Sequence, residues 1–158
     1  MVLALGNHEV NDEFEEPEPD PETEGIDWIR TVEGDIRHPL QHRCQVLGLR
    51  MFFDAKERGL KDTDTGECDP DLEDMIFYTQ RVAVKLAGVL NSTARGMGMP
   101  AGFIIATAKR ALGFLNDALR AMDAVQKKNL LTDKLPEYRR ELLQIRTDMV
   151  DLMEGYRA

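Results

Sequence analysis

Residues 97–125, MGMPAGFIIATAKRALGFLNDALRAMDAV, decide the fold. Ile104, Ala108, Leu115, Leu119, Met122 and Val125 fall on one helical stripe; Phe103, Ala111, Phe114, Ala118 and Ala121 fall on a second. A helix that is apolar over so wide an arc is buried by several neighbours at once. Small residues recur through it (Gly102, Ala106, Ala108, Ala111, Gly113, Ala118, Ala121, Ala124) and let those neighbours come close. The stretch predicts a central helix running to about Asn129, with the other helical segments packed around it.

Towards the C-terminus a last helix opens near Pro136. Leu135, Tyr138, Leu142, Ile145, Met149, Leu152 and Tyr156 step alternately by three and four, the seam of a helical bundle. Towards the N-terminus, Leu72, Met75/Ile76, Thr79, Val82/Ala83, Leu86 and Val89/Leu90 keep the same spacing. Asp69 caps that helix, Pro70 takes its first position, and Asp71, Glu73 and Asp74 favour its positive end; Gly96 closes it. Earlier still, Leu40, Cys44, Leu47, Met51 and Ala55 line one face of a helix that Gly59-Leu60 ends with a left-handed cap. Trp28, Ile29, Val32 and Ile36 give a short additional helix, interrupted by Pro39, which disfavours helical geometry at the residue before it. Short loops between long helices make neighbours antiparallel. The expected fold is all-α: an antiparallel up-down bundle of four main helices plus a short N-terminal helix, forming one domain over 26–158, preceded by an acidic extended tail over 1–25.

That tail is explicit in residues 11–24, NDEFEEPEPDPETE, with eight carboxylates, three prolines and no basic residue. Such a segment cannot bury enough surface to offset its ordering entropy, so it is a solubilising tail or docks on a partner through apolar residues such as Phe14. Charge is polarised along the chain. Residues 1–74 hold 21 acidic and 7 basic side chains; residues 75–158 hold 8 and 13. The net charge of −9 repels free nucleic acid at long range, while the pairs Lys109-Arg110, Lys127-Lys128 and Arg139-Arg140 offer a basic face on the C-terminal half. That face either tracks a phosphate backbone or complements the acidic half of the chain.

Two cysteines, Cys44 and Cys68, make no disulfide framework in 158 residues, and reduced thiols in the cytoplasm are the expectation. The opening MVLALGNHEV lacks a basic region and carries too short an apolar run for a signal peptide. The longest uncharged apolar run, Met97 to Ala108, has the length of a core helix rather than a membrane span.

Chemistry-bearing patterns are few. Asp62, Asp64, Gly66 and Glu73 approximate a calcium loop, but the glycine falls one position early. His38 and His42 stand four apart, the spacing at which two imidazoles on one helical face hold zinc or nickel; Cys44 is near, and Asp35 or Cys68 would be the third ligand. Arg37-His38-Pro39-Leu40-Gln41-His42 resembles the R-x4-6-H motif of the HEPN ribonucleases, all-helical proteins that pair so that two motifs meet. The resemblance implies His42 as general acid or base and Arg37 as the holder of the scissile phosphate, roles that suit a histidine titrating near neutrality and a forked guanidinium. Asp35 to Leu40 also resembles the phosphoacceptor box of histidine-kinase dimerisation helices, with Gly34 in place of the phosphorylated histidine. There is no glycine-rich phosphate loop, no Cys-x-x-Cys pair, no serine nucleophile motif and no Glu-x-x-His spacing of di-iron bundles. No cofactor is expected. The leading functional expectation is a non-enzymatic helical interaction module, an adaptor or small subunit that binds a protein partner or itself. Phe14 and the adaptable methionines Met97 and Met99 are its contact residues. The alternatives are a HEPN-like ribonuclease and a nucleic-acid-associated subunit.

Overall fold

The computed structural model describes residues 18–157. These residues are mostly helical, with four long helices and a small two-stranded sheet among them. The helices are α1 (Pro39–Glu57), α2 (Pro70–Leu86), α3 (Ala101–Lys127) and α4 (Leu135–Arg157); the strands are β1 (Ile29–Arg30) and β2 (Ile36–Arg37). A π-helical turn, Ala87–Asn91, and a last helical turn, Ser92–Ala94, prolong α2. Of the acidic segment, Pro21–Thr23 forms a single 3-10 turn; residues 1–17, Phe14 among them, lie outside the described residues.

Helix ends follow the local chemistry. Asp69 Oδ1 accepts from the backbone N–H groups of Asp71 and Leu72 at 2.9 and 3.1 Å, satisfying two orphan donors of α2. At the end of α1, Gly59 takes φ +70°, its N–H reaches Lys56 O, and the N–H of Leu60 reaches Ala55 O. These are the two bonds of a Schellman cap. Gly96 (φ +86°) closes the last turn after α2 with the same bond pair, Gly96 N–H to Thr93 O and Met97 N–H to Ser92 O.

The short N-terminal helix is not present. Ile29↔Arg37 and Arg30↔Ile36 pair instead as an antiparallel hairpin. Gly34 at φ +93° makes the turn, its N–H bonding Thr31 O at 2.9 Å, while Thr31 Oγ1 accepts from the N–H of Asp35. The nine residues from Trp28 to Ile36, with a glycine near the end, are too few to sustain a helix alone, and the β-branched Ile29, Thr31 and Ile36 suit extended backbone. Trp28 is buried and donates through Nε1 to Asp20 O at 2.7 Å, which ties the acidic segment to the hairpin. Val32, expected on an apolar stripe, is fully exposed at the turn.

The long helices share one core. Leu47 and Met51 of α1, Leu72, Met75 and Leu86 of α2, Leu115 and Met122 of α3, and Tyr138, Leu142 and Met149 of α4 are all buried in it. The packed helix pairs are α1 with α2, α2 with α3, α3 with α4, and α1 with α4. This corrects the expectation of a central α3, because α3 is one member of a ring with α2 and α4 as its principal neighbours. Its small residues divide accordingly. Ala108, Ala111 and Ala118 are buried, whereas Gly102, Ala106 and Gly113 face outward and Phe103 is exposed. Ion pairs rim the seams. Arg43 pairs with Asp148, Arg50 with Glu137 and Glu141, Arg58 with Asp133, and Lys128 with Asp69 and Asp71.

Candidate functional site

The R-x4-H pair is split between two grooves. Arg37 leaves β2 and donates through Nη1 to Gln45 Oε1 at 2.6 Å, with Asp35 beside its Nη2 at 3.4 Å. Gln45 lines the groove between α1 and α2. His42 lines a different one, of about 380 Å³, between α1 and α4, together with Arg43, Arg50, Glu141 and Gln144. Its Nδ1 is buried without a hydrogen-bond partner. Within one chain Arg37 and His42 therefore do not converge on a shared phosphate position.

His38 has a structural role. It is the N-cap of α1, its Nδ1 accepting from the N–H of Leu40 at 3.1 Å, and its own N–H donates to Asn91 Oδ1 at 2.9 Å. The π-turn carries Asn91, so this bond fastens the end of the α2 rod to the start of α1. Burial holds the His38 imidazole below its ordinary pKa of 6.5, with the Asp27 charge opposing. Cys44 is buried, which pushes its thiol up to about 12 and leaves it inert. Among the described residues no three or more His, Cys, Asp or Glu side chains gather as a metal site. In the 61–68 loop, Asp62 Oδ1 accepts from the N–H groups of Asp64 and Thr65, and Gly66 takes φ +77°. That carboxylate folds its own turn.

The basic pairs are partly consumed. Lys128 bridges Asp69 and Asp71, and Arg139 bonds Asp123 and Gln126, so one cation of each of these two pairs is engaged within the chain. Of the two methionines expected at a contact, Met97 is exposed and Met99 packs partly against the core.

What the structure builds instead is an apolar surface over α1 and α2. Leu49 and Phe53, one turn apart on α1, are 44% and 54% exposed; Phe77 and Val84, seven apart on α2, are 50% and 61% exposed. Between the two helices runs a groove of about 390 Å³ lined by Gln41, Gln45, Leu49, Gln80, Ala83, Val84 and Ala87, without one charged side chain. It continues past Gln80 into a second groove of about 450 Å³, where Phe52 and Phe77 sit with Lys61, Glu73 and Asp74. The helices come close here because Gly48 has no side chain: a Cβ there would stand 2.9 Å from Gln80 Cγ. Phe52 and Phe53 meet edge to face at 5.3 Å, and the Arg81 guanidinium lies over the rings of Phe77 and Phe114 at 5.9 and 5.3 Å. A larger groove of about 670 Å³ on α4, around Arg139, Arg140 and Leu143, is open and carries only Leu143 as a large exposed apolar residue. Leu49, Phe53, Phe77 and Val84 stand outside the core stripes that the helical spacing assigns to α1 and α2, and their signal is an apolar arc broader than one neighbour covers.

Among the described residues no helix is long and apolar enough to cross a membrane. Comparison with family models, with curated proteins and with solved structures finds no match.

Proposed function

We propose that this protein is a non-enzymatic helical interaction module of the cytoplasm, acting as an adaptor or small subunit that binds a protein partner or itself through the outer face of α1 and α2. The observation that carries this reading is the uncharged groove lined by Leu49 and Val84, with Phe53 and Phe77 exposed farther along the same two helices, in a chain whose residues are 31% charged. Contiguous exposed apolar surface costs solubility and marks contact sites on monomer surfaces. The scaffold beneath it reads as a single antiparallel up-down bundle over 26–158. Lys128, just past the end of α3, reaches the start of α2, and Arg58, just past the end of α1, reaches Asp133 ahead of α4. Rigid helices of this kind hold a docking face in fixed geometry.

Photo-crosslinking tests the reading in cells. A benzoylphenylalanine at Phe53 yields a discrete adduct, and the same group at Arg146 on the exposed side of α4 does not. Adducts from neither position, or equally from both, would overturn it. The nuclease alternative needs a second chain to bring His42 to Arg37. RNA cleavage by the purified protein that disappears in His42→Ala would select it over the module.

A further inference from the structure

We propose that the occupant of this face is a second copy of the same chain, with α2 packed antiparallel on α2 about a twofold axis near Gln80. The inference rests on the interaction reading above and names its partner. Three features of the outer side of α2 point to it.

The first is spacing. Phe77 and Val84 are exposed seven residues apart, two turns along one stripe. In an antiparallel pair with its axis between residues 80 and 81, Phe77 of each copy meets Val84 of the other, so this apolar contact is made twice. A twofold interface demands this self-complementarity.

The second is charge polarity. Glu73 and Asp74 are exposed at the start of α2, and Lys85 lies towards its end. Among the described residues none of the three takes an ion-pair partner within 4 Å, although Lys61 lines the same groove as the two carboxylates. Reversing one α2 against another sets Glu73 and Asp74 of each copy beside Lys85 of its mate. A parallel arrangement would set like against like. Arg81, between Phe77 and Val84 in sequence, lays its guanidinium over the rings of Phe77 and Phe114.

The third is Gly88. A glycine inside a helical rod weakens it relative to alanine, because its backbone loses more freedom on folding. Nothing among the described residues requires it: a Cβ there would meet no atom of theirs within 4 Å, and its φ is not in the left-handed region. In the antiparallel register Gly88 lies opposite Glu73 of the mate. The missing side chain admits that carboxylate and the backbone behind it.

Sedimentation of the full chain over a range of concentrations tests the proposal, with far-ultraviolet circular dichroism confirming that each variant keeps its helix content. The wild type sediments as a concentration-dependent dimer. Phe77→Glu with Val84→Glu is monomeric. Glu73→Lys with Asp74→Lys weakens dimerisation at least tenfold, and adding Lys85→Glu to that pair restores it. A wild type that stays monomeric throughout, a dimer indifferent to the Phe77 and Val84 changes, or a folded triple variant that fails to recover would overturn the proposal. The two readings fail separately. A monomeric wild type that still crosslinks from Phe53 to a different protein ends the twofold dimer and keeps the module; a monomer that crosslinks to nothing ends both.

Discussion

His38 does at the start of α1 what serine or aspartate does at most helix starts: a side-chain acceptor satisfies the N–H of the second helical residue, here Leu40. His38→Ala removes that acceptor and is expected to cost about 1 kcal/mol, read as a lower Tm, while His38→Asn recovers most of it. The cap also sets a pH dependence. The folded imidazole must stay neutral at Nδ1, and burial depresses its pKa below the ordinary 6.5. Above that value both folded and unfolded chains are neutral at this residue, and nothing is lost. As pH falls below about 6.5, the unfolded chain takes up the proton first and stability drops until the folded pKa is passed. Urea midpoints between pH 7.5 and 5 should therefore decline for the wild type, and His38→Asn should lose that part of the decline. In the sequence, His38 and His42 are legible only as a pair at ligand spacing. Histidine is not a common cap, and the bond from Asn91, 53 residues away, has no local signal.

At the scale of the element, the sequence marks where the long helices stop and start because caps are local chemistry. Asp69-Pro70 opens α2, and Gly59 and Gly96 close their helices in the left-handed conformation. The hairpin of β1 and β2 was not legible, because Trp28, Ile29, Val32 and Ile36 fit helical spacing as well as they fit strands, and two-residue strands have no period to read. The π-turn was equally hidden; its value lies in where it puts Asn91. Two glycine substitutions separate local from tertiary effects. Gly113→Ala, where a Cβ meets nothing within 4 Å, is expected to stabilise the protein by roughly 0.5–1 kcal/mol. Gly48→Ala should fail to gain that increment and lose about 1 kcal/mol instead, since its Cβ presses on Gln80 Cγ. Thermal melts of the two variants side by side give opposite signs.

Across the whole molecule, helical stripes identify the core almost residue by residue, from Leu40 through Met149, because burial by packing neighbours is what the spacing encodes. The arrangement of the helices is not encoded so directly. A wide apolar arc on residues 97–125 suggested a hub, and the ring of four helices leaves part of that arc, Phe103 included, in solvent. Leu115 sits inside the ring with no exposure, and Leu115→Ala is expected to cost about 2–5 kcal/mol, against under about 0.5 kcal/mol for a typical change on the surface. The same contrast separates core from contact face. Leu49 and Phe53 are apolar yet about half exposed, and the proposed interface uses the half that the fold leaves open. The most direct test of that claim measures melting and complex formation together in Leu49→Glu with Phe53→Glu. The expected result is a Tm close to that of the wild type with the complex, dimer or crosslinked adduct, abolished. A Tm depressed as far as that of Leu115→Ala, or a complex that survives, would contradict it.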